Sequence, residues 1–296
     1  MPEHLTRLSV TMNKLSDAKR AAILRCLTEG ASIRSTARMT GTAKGTVLSL
    51  LVEVGEFCSI YQDHMLRDLS CKRIEVDEIW AFCGAKEKHA KKLGHGDIWT
   101  FTCLDPDSKL MVSWLVGARD ADSATVFLKD VAARMAGKVQ LSTDGHGMYE
   151  VAVREAFTFR NVAWGQIIKK YGRLESEVDQ RRYSPPKCTG IKKVRKIGSP
   201  DRRHMSTSLI ERSNLQVRMT SRRFTRLTSG FSKKVENHAH AVSLTFFAYN
   251  FCTPHGTLTK ARGGIKTTPA MAAGVADRPW TMDDLLALMD PDRPIE

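Results

Sequence analysis

No two cysteines in this chain are spaced as Cys-x-x-Cys. The seven present (Cys26, Cys58, Cys71, Cys83, Cys103, Cys188, Cys252) are scattered and odd in number. Neither a disulfide framework nor a zinc ribbon is signalled; most are read as reduced, and several as small core residues. Aromatic residues are few, at 7%. No apolar run approaches the ~18 residues of a membrane-spanning helix, and no basic amphipathic helix shows an aromatic face for a lipid surface. The first residues, Met1-Pro-Glu-His-Leu-Thr-Arg-Leu8, lack the apolar stretch and small-residue cleavage site of an export signal, so a cytoplasmic location is expected. No internal repeat is present. Acidic charge is in deficit: 46 Lys and Arg stand against 32 Asp and Glu, a net +14 with a pI near 9.6. With membranes excluded, a polyanion is the partner such a balance fits, and nucleic acid is the obvious one. At 296 residues and 42% hydrophobic content, the chain is long enough for one main domain and one small module.

The small module is read at residues 1–60. Asp17 to Glu29 carries Ala21, Ile23, Leu24 and Leu27 at helical spacing, and Gly30 stands where a helix stop belongs. Ser32 is a cap for a second helix through Met39, Gly41 makes a turn, and Thr42 is a cap for a third from Ala43 to Val54. Helix, short glycine turn, helix is the helix-turn-helix arrangement, whose last helix enters the major groove of double-stranded DNA. Lys44, Thr46 and Ser49 are its candidate contacts. The competing reading is an ordinary three-helix packing unit.

From Arg73 the pattern changes to runs rich in β-branched and aromatic residues. Ile74–Cys83, Ile98–Leu104 and Leu110–Val116 read as strands, with a hairpin turn at Asp105-Pro-Asp-Ser108. A helix beginning at Asp122 or Ser123 follows, with Val126, Phe127, Val131 and Met135 as its apolar face. Val139–Thr143 is a fourth strand, Met148–Phe157 a helix and Asn161–Ile168 a fifth strand. Three antiparallel strands, a crossover helix, a parallel strand, a helix and a last strand is the order of a ribonuclease-H-like α/β fold with a mixed five-stranded sheet. That catalytic domain is assigned to residues 73–255, with a basic loop at 169–208, a helix from Leu209 to about Thr228 and an apolar helix from Ala239 to Phe251. Residues 256–296 read as a peripheral C-terminal tail. Between Arg160 and Lys234 lie 20 Lys or Arg and 5 Asp or Glu, so the excess charge is concentrated in one stretch.

Three carboxylates stand out against this background. Asp77 sits inside an apolar strand, Asp144 ends another and is followed by Gly-His-Gly, and Glu211 opens the basic helix; each is 67 residues from the next. Carboxylates among apolar strand residues are costly unless a cation neutralises them. Phosphodiester cleavage by in-line displacement uses two Mg²⁺ ions (Mn²⁺ is an alternative) held by a few carboxylates together with substrate phosphate. In an ideal helix Arg218 and Arg222 project within about 20° of Glu211 and are candidate phosphate contacts, with Arg223 and Arg226 widening the same surface. Taken singly, each feature has a plain reading. A strand Asp is commonly a turn residue, Glu211 satisfies a helix N-terminus, and a run of arginines is a solvated face. His146 either touches substrate or caps its turn; His238 and His240 point to different sides of a helix, at least one of them structurally.

The motifs that carry these residues are Glu75-Val-Asp-Glu-Ile-Trp80, Thr143-Asp-Gly-His-Gly-Met-Tyr149, Ile210-Glu-Arg-Ser-Asn-Leu-Gln-Val-Arg218, Thr225-Arg-Leu-Thr-Ser-Gly-Phe-Ser-Lys-Lys234 and Glu236-Asn-His-Ala-His-Ala-Val-Ser-Leu-Thr-Phe-Phe247. In them the chain resembles the transposases of the insertion-sequence-one family of bacterial mobile elements. The resemblance implies an Asp-Asp-Glu catalytic domain with the triad on Asp77, Asp144 and Glu211, the basic residue after the Glu on Arg218, and metal-dependent cleavage and joining of DNA at terminal inverted repeats. Processing two ends together implies a homo-oligomer on DNA. The paired-cysteine zinc motif common in that family is missing from this sequence, which leaves end recognition to the helix-turn-helix or to a second protein. The alternatives are an inactive or domesticated DNA-binding regulator, and a nuclease or resolvase without strand transfer.

Overall fold

The computed structural model describes residues 15–172, 188–225 and 229–290. Its first three helices are α1 (Asp17–Thr28), α2 (Ile33–Thr40) and α3 (Lys44–Met65). Ser32 caps α2 by accepting the Ser35 N–H, and Gly41 ends it in the left-handed region at φ 59°, where a side chain would be strained. Thr42 does not cap α3. Its hydroxyl bonds the Thr40 carbonyl instead, and Ala43 holds the cap position without a side-chain bond. Nor does α3 stop near Val54. It runs on to Met65 because Gly55 is a packing residue: a Cβ there would lie 2.5 Å from the His240 carbonyl oxygen, so only glycine lets the neighbouring helix pass so close.

The strands β1 (Arg73–Cys83), β2 (Gly96–Leu104) and β3 (Met111–Gly117) form an antiparallel meander. Helix α4 (Ala121–Arg134), capped by Asp120 through the Ser123 N–H, crosses to β4 (Val139–Asp144), which pairs parallel to β1. Its buried apolar side chains are Ala124, Phe127, Leu128 and Val131, whereas Val126 is exposed. Helix α5 (Met148–Ala156) leads to β5 (Val162–Tyr171), parallel to β4.

The sheet has six strands, not five. Within the stretch expected to be a loop, β6 (Cys188–Ile197) pairs antiparallel with β5, giving the order β3-β2-β1-β4-β5-β6. Residues 173–187 of that stretch lie outside the described residues. Strand β6 escapes a periodicity search because Lys192, Lys193, Arg195 and Lys196 crowd both of its faces, which are largely exposed. Charges of this kind are how edge strands avoid pairing with other chains.

Helix α6 (Ser208–Thr220) ends eight residues before the expected stop, followed by a 3-10 turn (Arg222–Phe224) that buries Phe224. Helix α7 (Val235–Phe247) continues into a π turn at Ala248–Cys252, and α8 (Gly256–Ala261), α9 (Pro269–Ala272) and α10 (Met282–Leu288) complete the chain. One face of the sheet, with Val76, Phe101, Leu141 and Trp164, packs into a core shared with α1–α5 and part of α7. The other, with Ile79, Ala81 and Met111, packs against Ile210 and Val217 of α6 and Phe246 of α7. The C-terminal residues are not peripheral. Trp280 lies 5.0 Å from the Phe251 ring, Leu285 and Leu286 are buried, and Arg25 of α1 bonds Asp283 at 2.6 Å. Residues 291–296 lie outside the described residues. Among the described residues no helix is long and apolar enough to cross a membrane.

Candidate metal and nucleic-acid site

Pairing between β1 and β4 ends at Glu75 and Ser142. Asp77 and Asp144 therefore stand two residues beyond the last pair on adjacent parallel strands, level with each other where the ladder has opened. The open end of a parallel sheet is where α/β folds gather ligand groups. One carboxylate oxygen from each of Asp77, Glu78 and Asp144 lies within 4.8 Å of the other two, a set able to hold a metal ion.

Strand alternation sends the side chains of Glu75 and Asp77 toward α6 and that of Glu78 to the opposite face. Buried Glu75 accepts the N–H groups of Leu209 (2.9 Å) and Ile210 (3.0 Å), two of the otherwise unpaired donors in the first turn of α6. A carboxylate at a helix N-terminus is also favoured by the helix dipole. Burial pushes the Glu75 carboxyl above the usual range, and these two bonds oppose it. This contact fixes the start of α6 over β1. One turn into the helix, Asn214 donates to Asp77 Oδ2 at 2.8 Å and accepts from Thr102 of β2 at 3.2 Å. Asn214 lies three residues after Glu211 and four before Arg218, so the three share a helix face.

Asp77 is half-buried, and its carboxyl is pushed up to about 7, first by burial and then by the neighbouring charges of Glu78, Asp144 and Glu211. Among the described residues neither Asp77 nor Asp144 forms an ion pair. Asp144 accepts the His146 N–H at 2.9 Å, and His146 Nδ1 in turn accepts the Met148 N–H at the start of α5. His146 is thus a turn residue here. Glu78 is differently supplied: it accepts the Tyr149 hydroxyl and pairs with Arg119 at 3.1 Å. Burial raises its carboxyl and these two partners lower it, with the net shift upward.

Glu211 is not one of the three carboxylates whose oxygens lie within 4.8 Å of one another, although its charge acts on Asp77. Its Oε1 accepts the Lys169 ammonium of β5 and the Thr207 hydroxyl at 2.6 Å. Burial works to lower the Lys169 pKa, but the bond to Glu211, with the charges of Glu211 and Asp77, raises it overall. Arg218 is half-buried on α6. Arg222 is exposed on the 3-10 turn, off the helix that was expected to align it with Glu211. Arg223 is directed to Ser232 at 2.7 Å, and burial pushes it down to about 10. Arg226 lies outside the described residues. Lys44, Thr46 and Ser49 are exposed in the first turns of α3, while Val47 and Leu50 face the core. His238 is fully buried against Ser232 at 2.9 Å, its pKa pushed down to about 3 first by burial and then by Arg223, a structural histidine; His240 packs against Gly55.

Sequence reasoning missed Glu78, Asn214, Lys169, Arg119 and Tyr149. Asn214 was within reach through its i+3 spacing from Glu211. The partners of Glu78 and Glu211 come from elements 41, 71 and 42 residues away in sequence, and no local pattern marks them.

No family model matches the chain, and no curated protein matches it. Among solved structures, the chain is similar to a piggyBac transposase in a synaptic complex with hairpin DNA. The likeness covers 97% of this chain and 74% of that one, at 10% identity and a TM-score of 0.37. A likeness that weak assigns neither family nor chemistry. The resemblance to the insertion-sequence-one transposases rests on the sequence motifs alone.

Proposed function

We propose that this protein is a DNA transposase of the Asp-Asp-Glu type with a ribonuclease-H-like catalytic domain, acting on the terminal inverted repeats of an insertion sequence. The observation that carries the reading is the placement of Asp77 and Asp144. Two half-buried carboxylates stand side by side at the open end of a parallel strand pair, in no ion pair among the described residues, under a helix that carries Glu211 in its first turn. Their hard oxygen donors suit Mg²⁺ or Mn²⁺. Two such ions, when bound, supply activation of the attacking oxygen and stabilisation of the leaving one.

The residues divide the remaining work. Asp77 and Asp144 bind, Asn214 fixes the Asp77 carboxylate, and Glu211 completes the set from α6. Arg218, Arg222 and Arg226 meet the phosphate backbone, a contribution that fixes position and adds salt-sensitive affinity, while Arg223 is turned to Ser232. Residues 1–60 form the end-recognition module, with Lys44, Thr46 and Ser49 on bases of double-stranded DNA; residues 73–255 carry the chemistry, and two or more copies assemble on paired ends in the cytoplasm.

The test is a cleavage and joining assay on labelled DNA carrying the element's own terminal repeat, with Mg²⁺ and then EDTA, beside Asp144→Asn. Metal-dependent 3′-end cleavage and joined products in the wild type alone are expected, with end binding by the variant kept within about an order of magnitude. Tight, salt-sensitive binding without cleavage under any divalent ion would point to a regulator instead.

A further inference from the structure

The Lys169–Glu211 contact is the feature of the site that the proposed chemistry leaves unexplained. Glu211 is expected beside Asp77 and Asp144, yet Asp77, Glu78 and Asp144 cluster without it. Strand β5 explains why. Ile167 pairs with Asp144, the last residue of β4, and β5 continues past that point to place Lys169 two residues further on. From there its ammonium reaches Glu211 Oε1, which also accepts the Thr207 hydroxyl; the other oxygen, Oε2, has no hydrogen bond among the described residues. Both side chains are partly exposed, at 26% for Lys169 and 40% for Glu211, so neither is locked by packing. A carboxylate on a helix can change partners by a rotamer change alone. The ammonium and a divalent cation are alternative counter-ions for this one carboxylate.

We propose, on the reading of the site given above, that Lys169 is a positioning residue that holds Glu211 away from Asp77 and Asp144 until a divalent cation is bound. Glu211 then exchanges Lys169 for the metal set. The released ammonium stays at the rim, where a phosphate oxygen of the substrate is a fitting new partner for a compact cation. The bland alternative is a partly exposed ion pair with no role, since many such pairs contribute little. The two differ in their consequence for cation binding. A holding contact competes with the metal through Glu211, while an idle pair, or a general field effect, does not depend on Glu211.

The experiment is calorimetric titration of Mn²⁺ into the full chain without DNA, for wild type, Lys169→Gln, Lys169→Arg, Glu211→Gln, the double variant Lys169→Gln/Glu211→Gln, and Asp144→Asn. Removing a charge-assisted bond from the competing state should tighten Mn²⁺ binding in Lys169→Gln by about tenfold. Lys169→Arg should stay within about threefold of wild type, and the double variant should match Glu211→Gln, because the coupling vanishes when the shared partner is gone. The proposal is overturned by a Lys169→Gln affinity equal to or weaker than wild type, or by tightening that persists in the Glu211→Gln background. Asp144→Asn separates the two levels of inference. If it binds Mn²⁺ like wild type, the metal reading fails; if it loses binding while Lys169→Gln changes nothing, only the role of Lys169 fails. Should Lys169→Gln lose its native circular dichroism, Lys169→Met replaces it in the same series.

Discussion

Asp77 and Glu78 are neighbours on one strand and face opposite sides of it, and the two sides treat a carboxylate differently. Toward α6, Asp77 receives one amide hydrogen bond from Asn214 and no ion pair among the described residues, and its pKa is driven up to about 7. Toward α4 and α5, Glu78 receives a guanidinium and a phenol, which offset part of the cost of its burial. A buried charge left without its counter-charge costs stability, and a fold keeps such a cost where something outside it completes the site. On the proposed reading, the uncompensated side is the one that binds the metal. Glu78 belongs to the acidic cluster by proximity, and its chemistry is already spent on holding Arg119 and Tyr149.

This contrast is broken most severely by substitution at Asp77 itself. Asp77→Asn should reduce metal-dependent end cleavage by on the order of a hundredfold or more, since the neutral amide is a poor ligand for a hard cation; Glu78→Gln should reduce it far less. Equal losses in a single-turnover assay would erase the distinction. Next in size is pH. Protons and metal compete for the Asp77 carboxylate, so Mn²⁺ affinity should fall about tenfold per pH unit below 7 and level off above it. A flat profile between pH 6 and 8 would place the proton elsewhere.

Burial raises both carboxyls, so stability without metal should separate the two residues only through the partner each substitution leaves behind. The Asp77 pKa is raised on folding, so the native state binds protons that the unfolded chain has released, and ionised Asp77 weakens the fold as pH rises from about 4 to 7. Asp77→Asn should therefore stabilise the metal-free protein at pH 8 by roughly 1 kcal/mol, discounted because the residue is only half-buried. Glu78→Gln should destabilise it by about 1–3 kcal/mol, having stripped a buried hydrogen-bonded charge from Arg119. Thermal unfolding in EDTA reads both. The smallest effect is expected at Asn214→Ala, which frees the Asp77 carboxylate and should slow cleavage about tenfold with end binding unchanged; weakened binding instead would make Asn214 a DNA contact.

The same contrast separates what the sequence made legible from what it did not. Strands β1 to β5 and helices α1 and α2 follow local rules: β-branched and aromatic runs, a serine cap, a glycine in the left-handed region, an Asp-Pro-Asp-Ser turn. So the succession of elements along the chain is readable before any coordinates, and the pairing of β1 with β4 then places Asp77 and Asp144 level with each other. Strand β6 is hidden because its charges answer to an exposed edge and to solvent on both faces. The length of α3 is hidden because Gly55 serves a crossing with α7, a tertiary reason that local sequence does not contain. Arg222 drops off α6 because burying Phe224 ends the helix. The roles of Glu78 and Lys169 depend on which distant cation reaches which carboxylate, and local periodicity carries no information about that.

The most direct test is anomalous X-ray scattering from crystals of the wild-type protein soaked in Mn²⁺. A peak between the carboxylates of Asp77 and Asp144, with Glu211 turned toward it and Glu78 still on Arg119 and Tyr149, is the predicted result. A peak bound through Glu78 with Asp77 unengaged, or none at this end of the sheet at saturating Mn²⁺, would contradict the account.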